Sequence, residues 1–225
     1  MKKKIFFAFA VVILLVATGY YIYSKEVKMN ENNSGNNLQT TENPFENLSI
    51  PEEMDEATKA VMQVKIDNTK VMYNEKPDIW ETWIAIGNLK VILRDYEGAI
   101  DAFRQSVILQ SNNILGYRNM AEVYKNNLKD YESAKEYYRL AIELNPGDPE
   151  LYIALALIEE YQLKDLASAE ETYLNGLNAT HNSFEILNRA LTFYKNNGNI
   201  DMAEEMQKRI KELYPDTPAA QEISI

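Results

Sequence analysis

Acid–base and nucleophilic chemistry have little to work with in this chain. Its single histidine, His181, stands in a Thr-His-Asn-Ser context. A lone histidine in a turn reads as solvated, with no second group to exchange a proton with. There is no cysteine, hence no thiolate nucleophile, disulfide or thiolate metal site. Neither a glycine-rich phosphate loop nor a histidine pair at metal-ligand spacing occurs in the sequence. The carboxylate pairs Glu159-Glu160, Glu170-Glu171 and Glu204-Glu205 are adjacent in sequence. Neighbours in sequence diverge on a helix instead of converging on one proton, so these pairs read as solvated faces. No catalytic residue, metal site or cofactor is therefore assigned, and the chain is read as not an enzyme.

Charge removes another class. The net charge is −11 over 225 residues. The first 23 residues hold three lysines and no acid, which leaves 20 basic against 34 acidic residues, a net of −14, for the rest. An acidic body repels phosphate backbones, so nucleic acid is excluded as a partner.

The elements that must carry any function are ordered simply along the chain. Residues 1–4 form a basic amino terminus, and residues 5–23, IFFAFAVVILLVATGYYIY, contain no charge and no proline. A helix of that length rises about 28 Å, close to the hydrocarbon thickness of a bilayer. Tyr20, Tyr21 and Tyr23 sit where interfacial aromatics anchor a span. The expectation is a single transmembrane signal-anchor helix that touches the lipid bilayer through residues 5–23. The three lysines before it place the amino terminus in the cytoplasm and the body outside the cytoplasmic membrane. Cleavage near Tyr20, releasing a periplasmic or secreted protein, is the alternative. Residues 24–51 hold seven asparagines and few apolar groups and are expected to form a disordered linker reaching roughly 30 Å. Phe45 and Leu48 are the two groups in it that could dock on the body.

Residues 52–79 carry Met54, Ala57, Val61, Val64 and Val71 near helical spacing, between Pro51 and Pro77. They are read as a capping helix or half-repeat. From residue 80 a single grammar recurs every 34 or 35 residues, over 80–113, 114–148, 149–183 and 184–217, with a tail at 218–225. Gly87, Ala121 and Ala156, with Leu191 as the exception, form a small-residue column. Ala99, Ala134, Ala169 and Ala203 form a second. Large groups alternate with them: Trp83, Tyr117, Tyr152 and Leu187, then Phe103, Tyr138 and Tyr173, with Gln207 in the last unit. Tyr96, Tyr131, Leu166 and Ile200 recur at the turn, and Pro146 and Pro215 close second helices. A fixed period of this size means stacked helix pairs, each too small to bury its own apolar face. These aromatics are read as core. The second and third units carry one extra residue at the internal turn, expected to be absorbed in a loop.

This pattern resembles the tetratricopeptide repeat in Trp83, Ile86-Gly87, Tyr96, Ala99 and Phe103, and in Tyr117, Met120-Ala121, Tyr131, Ala134, Tyr138 and Pro146. The resemblance implies an all-α solenoid of helix-turn-helix pairs whose first helices line a concave groove. Carried over position by position, the candidate peptide-binding residues are Ile84, Asn88, Val91 and Ile92, then Leu115, Arg118, Asn119, Glu122 and Lys125. Ile153, Leu157 and Tyr161 follow from the third unit, and Asn188 and Thr192 from the fourth. Asn88 and Asn119 match the asparagines with which similar domains grip a terminal carboxylate. Ile84, Glu150 and Ala154 occupy the flanking cationic places, so such a carboxylate would lack its charge partner. The ligand implied is an internal peptide segment, extended or helical, of another protein. The function expected is a membrane-tethered interaction scaffold or assembly factor. The alternative is a structural protein that self-associates through its repeat surface, homo-oligomerisation being the second kind of partnership weighed.

Overall fold

The computed structural model describes residues 43–46 and 48–221. The expected membrane span at 5–23 and most of the linker lie outside the described residues. Among the described residues no helix is long and apolar enough to cross a membrane, and every regular element is helical. They fall into two compact units that divide between Val123 and Tyr124.

In the first unit α1 (Glu56–Glu75) packs on α2 (Trp80–Ile92), α2 on α3 (Tyr96–Leu109), and α3 on α4 (Ile114–Val123). Asp55 caps α1 by accepting from the Thr58 amide at 2.9 Å, satisfying one of the free donors of the first turn. The core joins Met62, Ile66, Ile86, Leu89, Leu93 and Ala102 to Phe45. Phe45 meets Tyr73 edge-on at 5.7 Å, and Tyr73 meets Trp83 the same way at 5.7 Å. The ammonium of Lys70 lies 5.9 Å from the Phe45 ring centre. The expected disordered linker therefore ends before residue 51. An aromatic buried to 9% exposure holds residues 43–46 against α1, an apolar gain that offsets the entropy of ordering so short a segment.

The stripe read from the sequence of α1 is not the face that packs. Met62 and Ile66 turn inward, whereas Val61, Val64 and Val71 are exposed. Met62 and Ile66 lie in the cluster that also holds Phe45, Ile86, Leu89 and Leu93, and the helix presents that side to it.

The second unit begins with a π-helical turn, π1 (Tyr124–Leu128), followed by α5 (Tyr131–Leu144), α6 (Pro149–Leu157) and a second π-helical turn, π2 (Ile158–Gln162). Then come α7 (Leu166–Ala179), α8 (Phe184–Asn196), α9 (Ile200–Leu213) and the short α10 (Pro218–Gln221). Its core runs from Tyr152 and Ala156 through Ala169, Tyr173, Leu187 and Ala190 to Ala203 and Ile210. Small and large groups alternate as their columns predict. Gln207, which stands where Phe103, Tyr138 and Tyr173 bring a ring, is 5% exposed and donates its amide to the Ala219 carbonyl at 2.6 Å. That bond holds α10 in place.

The extra residue of the second and third repeats is not absorbed in a loop. Every internal turn closes alike, with a residue in the left-handed region (Arg94, Lys129, Lys164, Gly198) and a capping Asp or Asn. The Asp95 amide donates back to the Lys90 carbonyl at 2.9 Å, and Asn199 to Tyr194 at 3.0 Å, each across five residues. The Asp130 amide donates to Tyr124 at 3.0 Å, and Asp165 to Glu159 at 2.8 Å, each across six. The turn is conserved in geometry and the insertion widens the helix that enters it, giving π1 and π2.

Candidate functional site

The helix face assigned to peptide binding is only partly a free surface. In the first unit Asn88, Ile92, Leu115 and Arg118 are exposed, and Ile84, Val91, Asn119 and Glu122 are half-buried. In the second unit Lys125 and Leu157 are half-buried, while Tyr161, Asn188 and Thr192 are exposed. Ile153 is 7% exposed and belongs to the apolar core of the second unit. It cannot receive a partner's side chain, and its assignment to the groove is corrected. Glu160, at the same helix position as Lys125 one repeat earlier, is also buried.

Tyr161 is the side chain that stands out. Tyr152, Tyr173 and Tyr194 are buried in this unit, but Tyr161 is 47% exposed, with the Lys164 ammonium 5.9 Å from its ring centre. A hydrogen bond with the Glu160 carboxylate, followed by partial burial, raises its hydroxyl pKa, and Asn196 and Arg189 pull it the other way. The ring thus joins the end of π2 to the polar groups of α8.

The adjacent pair Glu159-Glu160 is not a solvated face. The two carboxylates diverge, as adjacent positions must, yet each meets another helix. Glu159 is fully buried. It accepts the Thr172 hydroxyl at 2.6 Å and a guanidinium hydrogen of Arg139 at 3.3 Å. Arg139 also reaches Glu136 at 3.2 Å. Burial pushes the Glu159 carboxyl above its ordinary value, while Thr172, Arg139 and Lys135 hold it down. On the other side the Tyr173 hydroxyl lies 3.5 Å from Glu160. Burial, then the Glu160 charge, raises the Tyr173 pKa. One repeat earlier the equivalent contact has the opposite charge, with Lys125 donating to the Tyr138 hydroxyl at 3.1 Å. The spacing of 35 instead of 34 residues is the one sequence signal of the π turns that set this cluster.

A pocket of about 460 Å³ opens beside the cluster among α5, α6 and α7. Arg139 and Thr172 line it, together with Glu143, Tyr152, Glu171 and Asn175. Its charges are mixed, and such a wall can hold a polar group of a partner. Among the described residues no cluster of His, Cys, Asp and Glu is arranged to hold a metal ion.

Comparison with known proteins bears on two of the four repeats and on the fold. The tetratricopeptide-repeat family model matches residues 117–148 and 184–217, so the chain carries tetratricopeptide repeats. Solved structures share the fold. The MamA protein is 19% identical, with 75% of this chain and 91% of that one aligned at a TM-score of 0.55. PilF of Pseudomonas aeruginosa is 17% identical, covering 73% of this chain and 74% of that one, at 0.51. YrrB, described as a TPR protein with an unusual peptide-binding site, is 18% identical, covering 65% and 75%, at 0.50. At these identities the likeness is one of fold alone. No curated protein matches the sequence.

Proposed function

We propose that the protein is a non-catalytic interaction scaffold, tethered to the cytoplasmic membrane by residues 5–23, whose repeat domain lies outside the cytoplasm and holds a peptide segment of another protein. The exposed ring of Tyr161 carries this reading. A large amphipathic aromatic at the surface is the kind of group on which peptide recognition concentrates. Exposed Asn188 and Thr192 on α8 supply the amide and hydroxyl that pair with a partner's backbone. In the first unit Asn88 and Asn119 offer the same amide chemistry. The tether follows from the uncharged run of 19 residues behind three lysines, and the peptide-binding site named for YrrB is in keeping with the fold being used this way.

The test is site-specific photocrosslinking of the full chain in its native membrane. A crosslinker at Thr192 is expected to trap a protein adduct that is lost when Tyr161 is changed to alanine, and one at Glu204 is expected to trap none. Equal adducts at Thr192 and Glu204, or an adduct at Thr192 indifferent to Tyr161→Ala, would overturn the reading. Intact mass and carbonate extraction of the same membranes check the tether. A chain beginning near Tyr20 and released by carbonate would be the secreted form instead.

A further inference from the structure

α1 packs with one face and leaves a second apolar face bare. Met62 and Ile66 are 8% and 5% exposed, but Val61, Val64 and Val71 are 53%, 58% and 55% exposed. Ala57 and Asn68 are exposed beside them. The five positions 57, 61, 64, 68 and 71 are spaced four, three, four, three, the repeat of a coiled-coil seam. At 100° per residue they span about 80° and lie about 160° round the helix from Met62 and Ile66. Solvated helices of this fold need no such stripe. Along the middle of α9 the exposed positions are charged, Glu204, Glu205, Lys208, Lys211 and Glu212, and its exposed apolar groups, Ile200 and Leu213, stand singly at the two ends.

We propose that α1 is a homodimerisation helix, whose seam packs in parallel and in register against the same seam of a second copy of this chain. The asparagine decides the occupant. Asn68 lies inside an apolar stripe, where an apolar partner would strand its amide at a cost of order 1–3 kcal/mol. A second copy in register brings the partner's Asn68 to the same level, and an amide pair in a seam is a known device for fixing register and a two-stranded state.

The same asparagine sets the direction. In this seam Val61 and Asn68 stand at a and Ala57, Val64 and Val71 at d, and an a level meets its own copy in a parallel pair, whereas an antiparallel pair sets a against d. Val61, at the other a level, is of the β-branched type that suits two strands, while Val64 and Val71 stand at d, where leucine packs better. α1 has 20 residues, so the paired surface falls below the roughly 1,200–2,000 Å² of a standard interface. The dimer is accordingly weak and dissociates on dilution, unless the two chains are confined to one surface.

The chain has no cysteine, so single-cysteine variants of the full chain report this face directly. Val61→Cys, Val64→Cys, Asn68→Cys and Val71→Cys lie on the seam, and Gln63→Cys and Asn74→Cys are exposed off it. Oxidation is expected to give disulfide dimers at all four seam positions, about tenfold above the two off-seam positions, because a disulfide needs Cβ atoms about 4 Å apart. Adding Val64→Lys to Asn68→Cys is expected to bring its dimer down to the off-seam level. Dimers at only one seam position mean an antiparallel pair. Dimers at none mean that something other than a second copy covers the face. Equal yield at all six means random collision, and persistence with Val64→Lys means the seam is not the contact. Any of these four results overturns the proposal. The oxidation reads the pairing whether the chain is found with the membrane or released from it, so its outcome is independent of the tether and of peptide binding.

Discussion

Gly87→Ala is a one-methyl change that tests how the first repeat is packed. A Cβ at residue 87 would meet Cε1, Cδ1 and Cζ of the Phe103 ring, the last at 2.8 Å. The ring is 1% exposed and has no open space to turn into, so α2 and α3 must separate. Overpacking of this kind costs about 1–3 kcal/mol. The crowding involves three atoms of a rigid ring, which places it toward the upper end. Replacing glycine by alanine inside a helix returns about 1 kcal/mol through propensity. The balance is a loss of about 2 kcal/mol, or a fall in Tm of roughly 4–8 °C for a chain of this size. Thermal and urea unfolding followed by helical circular dichroism read it. Gly147→Ala is the control, since its Cβ would find only the Asn145 Oδ1 at 3.9 Å, and it should be neutral within about 0.5 kcal/mol. Phe103→Leu in the Gly87→Ala background should cost at least about 1 kcal/mol less than it does alone, because the smaller group relieves the clash. A Gly87→Ala protein as stable as the parent, or more stable, would refute this account of the α2–α3 contact.

Three further outcomes follow from the structure. Glu159 has a folded pKa raised above its ordinary value of 4.5, so its contribution is full below that value and is lost as pH rises through the folded pKa. Glu159→Gln keeps the volume and the acceptor for Thr172. Its urea midpoint should match the parent near pH 4 and gain on it toward pH 7.5, and a variant that loses ground over that range would contradict the burial argument. Asp165 is the opposite case. Its bonds from the Ser168 hydroxyl and amide hold its pKa below 3.8, so its contribution is present above that value and disappears as pH falls through the folded pKa. Asp165→Asn should flatten the acid limb of the stability profile, which acid titration followed by circular dichroism would detect. Phe45→Ala should free residues 43–51 from α1, so limited proteolysis should cut there in the variant before it cuts the parent, and equal rates would mean that Phe45 does not hold the segment.

What the sequence made legible was whatever repeats. Gly87, Ala121 and Ala156 are all buried in their helices, so one aligned column is enough to read a close helix crossing. The same columns do not say why residue 87 is glycine when 121 and 156 are alanine, because that depends on where the Phe103 ring leans. Three of the readings that the structure corrects went astray for a definable reason. Periodicity reports that a helix has a stripe without reporting which stripe faces in, and on α1 the Met62–Ile66 face takes precedence over Val61, Val64 and Val71. Spacing reports an inserted residue without reporting its place. The Asp130 and Asp165 amides had to keep their carbonyl partners at the turn, and this forced the insertion into the helix as π1 and π2. Divergence of adjacent carboxylates reports direction without reporting what lies there, and Glu159 points at Arg139 and Thr172 instead of at water.

These three corrections share a cause that bears on function. Repeat positions that obey the pattern are consumed by packing, as Tyr152, Tyr173 and Tyr194 are, and are unavailable to a partner. Activity in such a fold belongs to the positions that depart from it. Tyr161 departs by being an exposed aromatic in a unit whose other rings are buried or half-buried. Glu159 and Glu160 depart by placing two buried carboxylates inside a helical stack at an inserted residue, beside a pocket lined by Arg139 and Thr172. The α1 valines depart by leaving an apolar stripe on the outside of a helix that already has a core. If partner binding instead tracked the ordinary packing positions, substitutions at Tyr161 would be silent while mild changes such as Tyr173→Phe altered binding without altering stability, and the assignment of function to the exceptions would fail.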